Sequence, residues 1–248
     1  MKKRKSIFLL FLLSIFLASC GIDDVPFIEP VPQANVTQQM NNRATVRIPT
    51  SNTESFSHFV IFYRIYVSNI SVASTTRDTY SAINPVLASD YNYIHPYIDS
   101  DTLVGDNMDS IFQNRGHRYL GLQDASMDSV LSSSVFGRSL VFDFPSSRSP
   151  RMTVDSEVYI LMRSNGGGVF NPRPADRLFV NTEELWRSEN ITSSINADVE
   201  NLNDIGAGDQ RYTYAAMYIM AAGINPGTYS FIYSTPSLIH IFQLPDQW

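Results

Sequence analysis

Two long stretches of this chain, residues 56–68 and 211–222, alternate in a way that suits strands. In the first, Phe59, Ile61, Tyr63, Ile65 and Val67 share one face, and Val60, Phe62, Arg64 and Tyr66 share the other. In the second, Tyr212, Tyr214, Ala216, Tyr218 and Met220 fall on one face. Aromatic and β-branched residues at period two predict strand rather than helix. Because the first stretch is apolar on both sides, both of its faces should be at least partly covered. Shorter strand signals occupy residues 44–49, 139–144, 152–163, 228–233 and 237–244. Asn225-Pro226-Gly227 reads as a turn, and Asn165-Gly166-Gly167-Gly168 as a break.

Between residues 77 and 135 the alternation fades, and aspartate, serine and asparagine become frequent. Pro85 and Pro96 interrupt any long helix. Two short helices fit the spacing. Asp106 would cap one carrying Met108, Ile111 and Phe112, and Asp124 would cap another carrying Met127, Val130 and Leu131. A further helix is expected near Asn181, with Glu183 and Glu184 in its first turn and Leu185 and Trp186 towards the core. The expected fold class is mainly β: a β-sandwich with a long, irregular and partly helical insertion at about 77–135.

Two segments bear a family likeness. Tyr63-Arg64-Ile65-Tyr66-Val67 resembles the third strand of fibronectin type III domains, and Tyr212 to Gly223 resembles their sixth strand with its following glycine. The resemblance covers about thirty residues and implies an immunoglobulin-like sandwich. The family's early tryptophan has no counterpart, since the two tryptophans are Trp186 and Trp248.

The N-terminus follows another pattern. Lys2, Lys3, Arg4 and Lys5 precede an apolar run from Ile7 to Leu17, broken only by Ser14. A bilayer-spanning helix needs about 20 apolar residues, so this run is short. A basic start, a short apolar stretch and small residues at its end mark a cleaved export signal. Leu17-Ala18-Ser19-Cys20 resembles the lipobox of bacterial lipoproteins. That resemblance implies a diacylglyceryl group on Cys20, cleavage just before it, and an anchored mature protein. The overall plan also resembles uncharacterised lipoproteins of spirochaetes. Gly21 stands where an aspartate retains some lipoproteins at the inner membrane, which implies an outer-membrane or surface address. The competing readings are a secreted protein cut near Ala18 and an uncleaved anchor.

The expected organisation is therefore a signal peptide at 1–19, a lipidated cysteine and proline-rich tether at 20–42, and a β domain at 43–248. Pro26, Pro30 and Pro32 punctuate the tether. Its alternative is an edge strand in which Val25, Phe27, Ile28 and Val31 fold back.

Removing the signal lowers the cation count from 18 to 14 against 24 acids, a net charge of −10. So acidic a chain suits neither nucleic acid nor anionic headgroups as a partner of its globular part. No lysine follows residue 5. Walker-loop, Schiff-base and Ser-Lys chemistries are thereby excluded. With Cys20 acylated, no thiol remains for a disulfide or a thiolate metal site.

Candidate chemistry is sparse. Tyr91, Tyr93 and Tyr97 alternate with polar residues and could form an aromatic platform for sugars or peptide, or else a strand packing its rings on the core. Asp99, Asp101, Asp106 and Asp109 form the densest acidic cluster, and Asp99, Asp101 and Asp106 are weak cation candidates. Leu103 and Val104 stand where a calcium loop needs an oxygen ligand and a glycine. His58, His95, His117 and His240 lie at no ligand-like spacing, and no G-x-S-x-G elbow occurs. No cofactor is expected. The function these features suggest is a non-enzymatic envelope lipoprotein, anchored in the bilayer through Cys20, that binds or scaffolds an envelope or host protein or glycan. The alternatives are a lipid-anchored glycan or ester hydrolase and a purely structural assembly subunit.

Overall fold

The computed structural model describes residues 27–39, 41–98, 108–146, 148–164, 179–180, 186, 199–200 and 212–245. Its strands in chain order are β1 (Val36–Gln39), β2 (Arg43–Arg47), β3 (Phe56–Ser68), β4 (Arg118–Tyr119), β5 (Gly121–Leu122), β6 (Ser139–Asp143) and β7 (Arg151–Val154). They continue as β8 (Glu157–Ser164), β9 (Phe179–Val180), β10 (Val199–Glu200), β11 (Tyr212–Ile224), β12 (Phe231–Tyr233) and β13 (Ser237–Gln243). The α-helices are α1 (Tyr80–Ile83), α2 (Pro85–Ile94), α3 (Met108–Asn114) and α4 (Met127–Val130). The protein is mainly β, as expected.

β3 and β11 form the spine. They pair antiparallel from Tyr212 opposite Ser68 to Gly223 opposite Phe56, with one bulge at Ala222/Gly223. Each has 13 residues, so the pair is about 40 Å long. Around it the second sheet is ordered β10-β3-β11-β12, with β13 also on β11 and β4 also on β3. The first sheet is ordered β1-β2-β6-β7-β8-β5, with β9 also on β8. The only parallel pair among the described strands is β10 with β3.

The two faces of the spine feed two separate cores. Phe59, Ile61, Tyr63, Ile65 and Val67 of β3, with Ala215, Met217, Ile219 and Ala221 of β11, meet the inner face of the first sheet: Ala44, Val46, Leu140, Phe142, Met152, Val154 and Leu161. Trp186 closes this core, and its indole N–H donates to the Leu161 carbonyl at 2.9 Å. The other face carries Val60, Phe62 and Tyr66 with Tyr214, Ala216, Tyr218 and Met220. It is roofed by Tyr80, Ile83, Leu87, Ala88, Tyr91, Ile94 and Phe112.

The described helices of the first part of segment 77–135, Tyr80–Ile83, Pro85–Ile94 and the one carrying Phe112, are thus a third layer rather than an appendage, whereas Met127, Leu131 and Val135 pack into the inter-sheet core. A sheet apolar on both faces must be covered on both, and these helices supply the cover. Asn84 begins α2 by accepting hydrogen bonds from the Val86 and Leu87 amides, with Pro85 at the first helical position. The Asn84 side-chain Nδ2 donates to the Val67 carbonyl at 2.9 Å and so ties the helix start to β3. β4 and β5 carry the chain from one sheet to the other through Leu120, whose N–H donates to Ile61. Asp124 does not cap α4. It takes a left-handed turn conformation at φ 57°, and the cap position belongs to Ser126.

The tether expected over residues 20–42 does not extend through residues 27–39. Ile28 and Val31 are buried in the inter-sheet core, and Phe27, which directly precedes them, is exposed. Burying two branched or aliphatic side chains outweighs the tolerance of this proline-punctuated stretch for extended, solvated backbone. The strand that forms is β1, further along than the edge strand Val25 to Val31 would have been. The same segment protects the open edge of β13. The Gln33 side-chain amide donates to the Leu238 carbonyl at 2.9 Å and accepts from the Leu238 N–H at 2.8 Å, as a neighbouring strand's backbone would. Gln38 and Thr75 donate to the Ile239 and Ile241 carbonyls, and Ser237 donates to the Val31 carbonyl.

Gly223 fixes how closely this segment approaches. A Cβ there would lie 1.9 Å from the Ser55 carbonyl oxygen and 2.6 Å from Ile28 Cδ1. Gly223→Ala is expected to cost about 1–3 kcal/mol or more through overpacking. Urea unfolding should show a lowered midpoint with an unchanged slope. An unaltered midpoint would contradict this contact.

Candidate binding groove

Two adjoining clefts open towards the Ser68/Tyr212 end of the spine, where the chain leaves β3. One, of about 360 Å³, is lined by Gln38, Asn41, Ala73, Ser74, Thr75, Thr76, Arg77, Tyr80 and His240. The other, of about 350 Å³, shares Asn41 and Ala73 and adds Asn42, Phe144, Ser146, Gln243, Leu244 and Pro245. Together they make one groove along the seam between β1 and β13.

Its walls are built by the crossing of three segments. Asn41 is the post between the two halves: its amide donates to the Val72 carbonyl at 2.8 Å, and its oxygen accepts from the Thr75 N–H at 3.0 Å. Tyr214 holds the same turn, donating to the Ile70 carbonyl at 2.9 Å and accepting from the Val72 N–H at 3.3 Å. Thr76 and Thr79 close a capping box at the start of the helical layer. The floor is therefore fixed before any ligand arrives. Arg77 is exposed and lies over the Tyr91 ring at 5.7 Å. Burial pushes the Tyr80 hydroxyl well above its ordinary pKa, with Tyr91 adding to the shift and Arg77 opposing it. Tyr80 is thus a neutral hydroxyl at physiological pH. None of the lining residues is a carboxylate. The groove offers amides, hydroxyls, the His240 imidazole and one guanidinium, a set that recognises polar ligands and lacks the carboxylate pair of a glycosidase.

Tyr91, Tyr93 and Tyr97 do not all share one face. They lie on α2 and the single 3₁₀ turn His95–Tyr97 that follows, not on a strand. On a helix, residues two apart point to different sides, so strand-like alternation scatters the rings. Tyr91 is buried against Tyr80, Tyr93 is exposed beneath the Arg115 guanidinium at 4.1 Å, and Tyr97 is half-buried on the core. Cys20, Asp99, Asp101 and Asp106 lie outside the described residues, as do the glycine run and the helix start near Asn181. Among the described residues, no three histidine, cysteine, aspartate or glutamate side chains are grouped to hold a metal. No helix among them is long and apolar enough to cross a membrane.

Two clusters elsewhere have a catalytic look and structural roles. Ser57 Oγ lies 3.1 Å from His58 Nδ1, and His58 Nε2 lies 3.2 Å from Asp128 Oδ1. This trio borders neither half of the groove. It stitches α4 to β3, where His58 bridges to Ser132 and Phe59 N–H donates to the Leu131 carbonyl. The second cluster pins the helical layer. Asp90 on α2 is buried and accepts from Arg64 at 2.5 Å, the Tyr66 hydroxyl at 2.7 Å and Arg115 at 3.3 Å. Burial, reinforced by the Asp90 charge, raises the Tyr66 pKa well above normal, so that hydroxyl remains a donor. Removing one partner from such a buried ion pair typically costs about 3–5 kcal/mol.

His117 sits beside this cluster, edge-on to Phe112 and Tyr218 with ring centroids 5.0 and 5.6 Å away. It is fully buried, with the backbone of Phe112 and Arg115 beside its ring. Burial, and then the Arg64 charge, lower its pKa from 6.5 to about 3.

Comparison with family models, with curated proteins and with solved structures finds no match for this chain. The groove was not legible in the sequence. Asn41 lies in the stretch expected to be tether, and residues 73–76 carry no motif. Asp90 had one sequence signal, the charged Arg64 in the middle of an otherwise apolar strand face.

His117 generates a pH dependence of stability. Its folded pKa is below its unfolded value, so the unfolded chain binds the extra proton between pH 6.5 and about 3. Its contribution is complete above pH 6.5 and declines on acidification, by up to roughly 1.4 kcal/mol per pH unit. Replacing it by phenylalanine should flatten this limb of the stability-pH curve between pH 6.5 and 4. An equally steep limb in the variant would contradict the assignment.

Proposed function

We propose that this protein is a lipid-anchored, non-enzymatic binding module of the bacterial cell envelope, on the outer membrane or cell surface. Cys20 would carry the acyl groups, and the groove would hold a polar ligand, such as the glycan of an envelope or host component. The observation that carries this reading is the groove's lining: hydrogen-bonding side chains held by internal bonds, a single arginine and no carboxylate. Its position also supports the reading. The groove is level with Tyr214 and Gln243, whereas Phe27 reaches the domain beside Gly223 and Ile224. That separation is about 30 Å along β11. A ligand in the groove would therefore face away from a membrane held at the N-terminus.

Two measurements test the two halves of the proposal. Mass spectrometry of the native protein should find a mature chain beginning at acylated Cys20; a bare thiol or a retained signal would refute the anchor. Ser74 is exposed at the groove's rim, and Ser74→Trp should plug it. On an array of envelope and host glycans, this variant is expected to lose at least tenfold in retention, about 1.4 kcal/mol, without a change in thermal midpoint. Undiminished retention by the plugged protein would overturn the assignment of the groove.

A further inference from the structure

The β11–β12 hairpin exposes apolar side chains that the fold does not use. Ile224 is 44% exposed, and Tyr229 is 84% exposed. Pro226 between them is exposed as well. Tyr229 also adopts φ 57°, a left-handed conformation that bulky residues rarely take. Strain held at an exposed aromatic ring points to a use for the ring.

The loop around it is wired rather than loose. The Asn225 N–H donates to the Ser230 carbonyl at 2.9 Å, and the Tyr229 N–H donates to the Asn225 carbonyl at 2.7 Å. The Asn225 side-chain oxygen accepts from the Gly227 and Thr228 amides at 2.8 and 3.3 Å. Thr228 and Ser230 join hydroxyls at 2.7 Å. Five polar contacts thus hold one tyrosine outward.

The chain's N-terminal segment arrives at this same end. The Thr53 hydroxyl donates to the Phe27 carbonyl at 2.7 Å, and the Ile224 N–H donates to the Ser55 carbonyl at 3.2 Å. Phe27 is itself 45% exposed. Six residues of sequence, and so seven Cα-to-Cα steps, separate it from Cys20. Even fully extended they span at most about 25 Å, so a lipid on Cys20 would keep this end of the domain close to the bilayer.

We propose that the hairpin end, through Tyr229, Ile224 and Phe27, docks into the interfacial layer of the bilayer that holds Cys20. This inference rests on the anchor reading above. Tyrosine suits that layer, because its ring is apolar and its hydroxyl stays wet. The patch is a hairpin tip and one neighbouring side chain, far smaller than the roughly 800 Å² per partner of a stable protein dimer. Glu29 and Glu54 are exposed nearby, so the favoured surface is a zwitterionic bilayer rather than an anionic one. Docking at this end would hold the spine upright, with the groove at the distal end.

The full-length acylated protein, reconstituted into phosphatidylcholine vesicles, provides the test. With Cys20 acylated, an introduced cysteine is the single free thiol in the chain. An environment-sensitive dye is attached to Tyr229→Cys and, as a control at the other end of β3, to exposed Asn69→Cys. Loss of an aromatic ring from a strained, exposed turn position leaves the core untouched. On vesicles that float with bound protein, the dye at 229 should shift to the blue. It should also be quenched severalfold more by brominated acyl chains than the dye at 69, with a smaller difference when phosphatidylglycerol is added. Flotation with both dyes in an aqueous environment would overturn the docking and leave the anchor intact. Failure to float, with the dye reacting at Cys20, would overturn the anchor and the docking together. Shielding of the dye at 229 without vesicles, growing with protein concentration, would assign the hairpin to self-association and overturn the proposal.

Discussion

The paired backbone of β3 and β11 is the constraint on which the other elements depend. Twelve residue pairs run in register along it, interrupted once near Gly223. Both strands are apolar on both faces, so the pair cannot sit at a surface of the protein. One face requires a second sheet and the other requires a lid. The inter-sheet core and the helical layer are the two answers to that single requirement.

This explains which parts of the fold were legible. The strands Phe56–Ser68 and Tyr212–Ile224 follow directly from period-two alternation over long stretches. The requirement for cover on both sides was visible in Val60, Phe62 and Tyr66 opposite Phe59, Ile61 and Tyr63. What supplies the cover was not. The helical layer is made of short elements with polar interruptions, such as Tyr80–Ile83 and Pro85–Ile94, whose stability comes from docking rather than local propensity. Tyr91, Tyr93 and Tyr97 illustrate the ambiguity. Rings at every second position suit a strand, yet Asn84-Pro85 just upstream is a helix-start signal and prevails.

The groove was illegible for a different reason. It is assembled from residues remote in sequence, with Asn41, Thr75 and Gln243 brought together by hydrogen bonds to backbone groups. Each of these residue types is ordinary by itself. The N-terminal segment shows the same effect, since Gln33 acts as a surrogate strand for Leu238 only once β13 is in place. The long spine also separates two surfaces that the proposed function uses differently, a polar groove at one end and an apolar hairpin at the other.

Native-state hydrogen exchange is the most direct test of the spine. The interior amides of Ile61–Tyr66 and Ala215–Met220 should be the slowest in the protein and should exchange only through global unfolding. Amides of residues 80–94 should open earlier, as a unit, when the helical layer lifts from an intact sheet. If the spine amides exchanged as fast as those of the helical layer, or were outlasted by β2 and β6, the pair would not be the element that organises the fold.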